Sequence, residues 1–287
     1  MQLVGSPSMI AAVGDAPACA LARGLDDPVV DAAVEAWDLP RPRTDELARR
    51  PSAHIDGAYL ELVLLSPDHS PHHLSVRIHA AGDRMLVLAG PEALEILREA
   101  AEQAVGTREA VVAMLLAAAH RGEEVLDELE DASERFEDES DGYAAAPQRR
   151  LLGRTRADLF RIQEAQAAMH RLCTPDEQLY QELSKDLHRR LRRAATEFDA
   201  NRSAAARLHA MLGDLLDEQS TVVNERLTLV ATIFLPLTLA TGFFGMNFSW
   251  MQERTGSLAA FVLLGIVLPA LATLLTLAMV RVLTRSS

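Results

Sequence analysis

The stretch LTLVATIFLPLTLATGFFGMN, Leu227 to Asn247, decides the fold. It carries no charged residue, and the uncharged run continues to Gln252. A second uncharged run covers Thr255 to Val280, and only Glu253 and Arg254 stand between the two. Crossing about 30 Å of hydrocarbon takes roughly 20 helical residues, so each run is long enough to span a bilayer. The expected arrangement is a membrane hairpin with a very short outer loop. Gly245-Met246-Asn247 places a polar turn where the first span must end.

The flanks give the orientation. Arg226 precedes the first span, Arg281 and Arg285 follow the second, and Arg254 alone lies in the outer loop. Excess positive charge stays on the cytoplasmic side, which puts both termini there. The chain of 287 residues has a formal net charge of −13. Residues 227 to 287 hold three arginines against one glutamate, so the first 226 residues are strongly acidic. A nucleic-acid partner would demand the opposite balance. An acidic soluble part joined to a bilayer suits the handling of cations. Cys19 and Cys173 form neither a metal-ligand pattern nor a disulfide framework, which fits a reducing compartment. The N-terminus shows no basic start followed by an apolar run, so no signal peptide is expected.

Upstream of the spans the chain divides in two. Residues 1 to 90 read as a small α/β unit. Val29 to Trp37 is a short helix, Tyr59 to Leu65 a largely buried strand, and Leu74 to His79 a half-buried strand. Ala81-Gly82-Asp83 turns that strand into Met85 to Leu88, making a hairpin. From Glu92 onward alanine, leucine, glutamate and arginine dominate, all good helix formers. A turn is expected at Asp141 to Pro147. Thr174-Pro175-Asp176-Glu177 has the signals of a helix start: a capping threonine, proline at the first helical position, and glutamate closing a capping box. No proline follows until Pro236, and Gly213 is the one glycine before the first span. A helix of about 60 residues, roughly 90 Å, is expected to begin there and run into the membrane.

Three segments carry a family resemblance: Asn224-Glu225-Arg226-Leu227-Thr228, Ile233-Phe234-Leu235-Pro236-Leu237-Thr238, and Gly242-Phe243-Phe244-Gly245-Met246-Asn247-Phe248. Together, closing the first of two C-terminal spans, they resemble the signature of the CorA family of divalent-cation transporters. The resemblance implies an α/β cytoplasmic domain, a long helical stalk and a two-helix transmembrane hairpin, assembled as a funnel-shaped homopentamer in the cytoplasmic membrane. The implied division is residues 1–90 for the α/β domain, 91–173 for a helical hairpin, 174–226 for the stalk, 227–247 and 258–280 for the spans, 248–257 for the external loop and 281–287 for the cytoplasmic tail.

The pore follows from helical spacing. Thr221, Asn224, Thr228, Ala231, Leu235, Thr238, Gly242 and Gly245 are three or four apart and share one face. Copies around an axis would form hydroxyl and amide rings separated by an apolar constriction at Leu235, of the kind that gates by dewetting. The plainer reading is threonines bonded back to the preceding turn and glycines that let helices pack closely. The family context favours the pore. Family members often carry a pore-facing asparagine where Thr221 stands, and here Asn224 is the substitute. Gly245, Met246 and Asn247 are the expected selectivity filter. Mg²⁺ gives up its water reluctantly, so a filter should hold the hydrated ion through carbonyl acceptors. Asn247 and the Gly245 carbonyl suit that role. Phe244 replaces a common tyrosine and removes a hydroxyl. Glu253 is either an outer anionic ring or a solvated loop charge.

Glu123 to Asp141 holds eleven acids and one arginine. In the family an acidic hairpin beside the stalk binds divalent ions at subunit contacts and holds the closed state. The alternative is a salt-bridged face against the basic run His188 to Arg193. Asp186 falls near the height of the family's sensing carboxylate. His69, His72 and His73 cluster with Asp68 and read chiefly as a polar loop. No nucleophile-base pair, phosphate-binding glycine loop or HExxH motif occurs, so no enzyme is expected. The cargo is expected to be Mg²⁺, closing its own channel from the cytoplasm, with Zn²⁺, Co²⁺ or Ni²⁺ as other cargoes. A Zn²⁺ transporter of the ZntB branch and a non-conducting membrane-anchored sensor or scaffold are the rival readings.

Overall fold

The computed structural model describes residues 1–42, 51–54, 57–66, 70–139, 146–174, 183–246, 257, 259 and 262–285. They belong to two compact units, Met1–Leu216 and Asp217–Ser287.

The first unit is built on a six-stranded sheet. Strands β1 (Gln2–Val4), β2 (Ala18–Ala22), β3 (Ser52–His54), β4 (Gly57–Leu65), β5 (Pro71–Ala81) and β6 (Arg84–Leu88) lie in the order β1-β2-β6-β5-β4-β3. β1, β2 and β6 are parallel, and the remaining pairs are antiparallel. The three strands expected from the sequence fall within β4, β5 and β6. The turn between β5 and β6 places Gly82 at φ +58°, a left-handed conformation that glycine adopts without steric cost. Gly57 has a different reason to be glycine: a Cβ there would sit 2.0 Å from the Ile78 carbonyl oxygen on the neighbouring strand.

Residues alternate between the two faces of the sheet, as the pleat requires. Ala18, Ala20, Ala22, Leu86 and Leu88 pack against helices α1 (Pro7–Ala12) and α2 (Pro28–Trp37). Cys19, Leu21, Met85 and Val87 pack against α3 (Pro91–Glu102) and α4 (Thr107–Glu139). Asp27 caps α2 by accepting the Val29 N–H at 3.0 Å, and Pro28 opens the helix.

The helical part is a three-helix arrangement of α4, α5 (Ala146–Leu172) and α6 (Lys185–Gly245). Its register is explicit. Arg190 on α6 pairs with Glu109 on α4 at 2.7 Å. Asn201 donates to the Ala119 carbonyl at 2.7 Å. Further along, Leu208 and Leu212 share a core with Val125, Leu126 and Leu129. Helices α4 and α6 therefore run parallel. Helix α5 runs against both: His170 bonds the Ala195 carbonyl, Gln166 meets Asn201, and Arg156 lies beside Gly213.

This register refines two expectations. The described part of the acidic stretch packs along residues 205–212 and meets the basic run at its start, where Glu123 acts electrostatically on Arg193. The basic run sits near the start of α4, where Arg190 takes Glu109 while Arg189 pairs with Asp186 and Arg193 with Glu197 on their own helix. The reason is the intervening α5, which makes its two neighbours parallel. The long helix also starts later than expected. Thr174 finishes α5, its hydroxyl donating to the Arg171 carbonyl at 2.7 Å. Ser184 precedes the long helix, and its hydroxyl accepts the Leu187 N–H at 3.4 Å. Pro175, Asp176 and Glu177 lie outside the described residues. The expected length nevertheless holds: α6 has 61 residues, roughly 90 Å, and passes through Pro236 without ending.

In the second unit, α6 continues to Gly245. A five-residue π-helical segment, Leu263–Val267, leads into α7 (Leu268–Arg285). Helix α7 extends past Val280 to Arg285.

Candidate functional site

The ladder read from the sequence is realised on one continuous helix. Thr221, Asn224, Thr228, Ala231, Leu235, Thr238 and Gly242 are all exposed on α6. Their steps alternate strictly between three and four residues. That is the seven-residue period of helices that coil left-handedly about one another. A dry seam would be apolar at these positions. This one alternates polar, small and apolar groups, with Leu235 75% exposed.

The threonine hydroxyls are committed in one direction. Thr221 donates to the Asp217 carbonyl at 3.0 Å, Thr228 to Asn224 at 2.8 Å and Thr238 to Phe234 at 2.7 Å. Thr232 and Thr241, off the ladder, do the same. Bonding back to the preceding turn satisfies the hydroxyl proton, as an apolar surrounding requires. It also leaves the oxygen lone pairs outward. A hydrated cation presents water hydrogens, and acceptors of this kind match them. Hydrogen bonding within the helix and lining a wet pathway are therefore compatible.

The remaining surface of this segment is apolar. Leu227, Leu229, Val230, Phe234 and Leu239 are between 50% and 75% exposed. The most apolar window of the helix reaches a mean hydropathy of 1.4, and none of it is buried within the chain. So much exposed apolar area on a described helix calls for lipid or other protein around it. Among the described residues this is the one helix long and apolar enough to cross a membrane; Gly265–Thr276 is a shorter apolar segment.

Of the expected filter, Gly245 is the last residue of α6 and Met246 follows it, 48% exposed. Asn247 and Glu253 lie outside the described residues. Asp186 stands in the first turn of α6, where a carboxylate is favoured by the helix dipole, and is 3.3 Å from Arg189. Along α4, Glu124 pairs with Arg121 at 2.6 Å and Glu123 lies 3.5 Å from His120. Among the described residues of one chain, no three His, Cys, Asp or Glu side chains converge as a metal cage. His72 and His73 are not in a loop but in β5, facing Glu92 and Glu61. Both are half-buried on this strand, and His69 lies outside the described residues.

Electrostatics are most structured at the junction of α4 and α6. The Glu109 carboxyl is held below its usual value, first by the Val105 N–H it accepts and then by Arg190, against the opposing effect of burial. Burial pushes the thiols of Cys19 and Cys173 up to about 12.

A family model described as CorA-like Mg²⁺ transporter protein matches residues 33–281. A Bacillus subtilis (strain 168) protein described as a metal ion transporter, YfjQ, is 30% identical over 82 residues. That match spans 29% of this chain and about a quarter, 26%, of the relative. The complete CorA magnesium transporter of Methanocaldococcus jannaschii has a similar fold, with a TM-score of 0.60 at 16% identity over 92% of this chain and 89% of that one. The ZntB cytoplasmic domain of Vibrio parahaemolyticus RIMD 2210633 matches with a TM-score of 0.53 at 18% identity, over 70% of this chain and 86% of that domain. With the family model covering most of its length, the chain belongs to the CorA-like Mg²⁺ transporter family.

Proposed function

We propose that the protein is a channel-type transporter of divalent cations across the cytoplasmic membrane, with Mg²⁺ as its cargo. The observation that carries this reading is the exposed heptad ladder on α6, acceptor-rich along one seam and surrounded by exposed apolar side chains. In a homopentamer, five copies of the seam enclose the pathway. Each chain crosses the bilayer twice, through residues 227–247 and 258–280, and keeps both termini in the cytoplasm. Gly245, Met246 and Asn247 form the filter, holding the hydrated ion by carbonyl acceptors. Glu253 supplies an outer anionic ring. Leu235 forms the constriction, closed when dry and open when wetted.

The membrane potential supplies the driving force, about 2.3 kcal/mol per elementary charge per 100 mV and twice that for a divalent ion. Cytoplasmic Mg²⁺ favours the closed state by binding between subunits, at Asp186 and along the acidic stretch from Glu123 to Asp141. Ligands contributed by two chains fit the paired, exposed state of these acids in one chain.

Ion uptake into proteoliposomes tests the reading, with Mg²⁺ and Zn²⁺ run in parallel and Asn247→Ala as control. Mg²⁺ uptake lost on substitution supports it. Zn²⁺ uptake alone moves the protein to a ZntB-like activity. No flux of either ion, at low internal Mg²⁺ and with an imposed potential, leaves a non-conducting scaffold.

A further inference from the structure

The parallel half of the sheet carries a feature the membrane unit does not use. β2 and β6 are adjacent and parallel. The chain leaving β2 enters α2 on one face, where Val29 and Val30 share a core with Ala20 and Leu86. The chain leaving β6 enters α3 on the other face, where Leu94 and Leu97 share a core with Leu21 and Val87. When neighbouring parallel strands send their chains to opposite faces, a crevice opens outside their carboxyl ends. Open α/β sheets bind ligands at such switch points.

Here the crevice is a cavity of about 550 Å³, within the size range of small-molecule sites. Its walls include Leu21, Arg23, Asp27, Leu94, Glu95 and Arg98. The charges are unevenly committed. Both oxygens of Asp27 accept backbone N–H groups at 3.0 Å, from Arg23 and Val29. Arg23 and Arg98 are exposed, and among the described residues no carboxylate pairs with either guanidinium. Two uncommitted guanidinium groups therefore line one crevice, and guanidinium forks favour phosphate. Gly90 leaves α3 without a side-chain cap, which adds unclaimed donors at the same end of the sheet.

We propose that this crevice binds a phosphate-bearing anion of mononucleotide size, held by Arg23 and Arg98. Glu95, one turn before Arg98 on α3, opposes the anion and limits its affinity.

Isothermal titration calorimetry on the full-length protein in detergent tests this, with AMP, ATP and inorganic phosphate titrated separately. EDTA in the buffer removes chelation of Mg²⁺ by the nucleotides as a source of heat. One site per chain is expected for a nucleotide. Arg23→Ala and Arg98→Ala should each weaken it at least about tenfold, and Glu95→Gln should tighten it. Both arginines are exposed, so circular dichroism should show both variants folded. Inorganic phosphate binding with the same arginine dependence would support the site and identify phosphate itself as the recognised group. No binding of any of the three at millimolar concentration, or binding indifferent to both arginines, would overturn the proposal.

Discussion

Asn201 on α6 donates its amide to the Ala119 carbonyl on α4 at 2.7 Å, inside a core where Asn201 is 4% exposed. Gln166 of α5 lies 3.5 Å from the same nitrogen. Three helices thus meet at a polar point that apolar packing alone would not fix. Gly122 makes room for it: a Cβ there would fall 2.9 Å from both the Asn201 and the Gln166 nitrogens. Gly122→Ala should therefore destabilise the protein by about 1–2 kcal/mol, despite alanine's better helix propensity. Asn201→Ala should cost about 1–3 kcal/mol, because Gln166 loses a partner while buried. Unfolding followed by circular dichroism checks both. An unchanged Gly122→Ala variant would mean that the Asn201 and Gln166 amides move aside without cost.

The Glu109–Arg190 pair sets an acid limb in stability. The folded-state pKa of Glu109 is depressed, so its contribution is present above the unfolded carboxylate value and lost as pH falls through the folded one. Glu109→Gln should remove roughly 1 kcal/mol near neutral pH and flatten the stability profile below about pH 4. A profile as steep as the wild type's would contradict this.

Leu235 is expected to be the dry point of the pathway. Leu235→Ser should hydrate it and raise basal Mg²⁺ uptake several-fold, with a weakened response to internal Mg²⁺. Uptake assays across internal Mg²⁺ concentrations measure both. Unchanged uptake would place the constriction elsewhere.

Cys19 and Cys173 should be silent. They are 0% and 1% exposed, and burial raises their thiols to about 12, so little thiolate exists at neutral pH. Neither should react with a thiol reagent until the protein unfolds, as mass spectrometry after timed alkylation can show.

Much of the architecture was legible in the sequence. The long helix could be read because Gly213 is the one glycine between Thr174 and the first span, and Pro236 did not end it. The β4–β5–β6 part of the sheet was legible from alternating apolar residues and the glycine turn at Gly82. β1 and β2 were not. Ala18-Cys19-Ala20-Leu21-Ala22 is buried throughout and rich in alanine, a weak strand former, so only packing between two helical layers makes it a strand. The long helix begins at Lys185, behind Ser184, and the remaining residues of the start expected at Thr174 lie outside the described residues. The two reversals of the chain make α4 and α6 parallel, which sets the basic run against the start of α4 and leaves only the beginning of the acidic stretch near it. At the candidate site the spacing of the ladder was plain, whereas the direction of each threonine hydrogen bond needed coordinates.

The central claim is that one face of α6 lines the ion pathway. Thr228 lies on the ladder, and Val230, 50% exposed, lies about 200° around the helix. The two natural cysteines are buried, so single introduced cysteines can be probed directly. With Mg²⁺ uptake into proteoliposomes as readout, a charged thiol reagent should block Thr228→Cys and spare Val230→Cys. Block of Val230→Cys with Thr228→Cys unaffected would contradict the account.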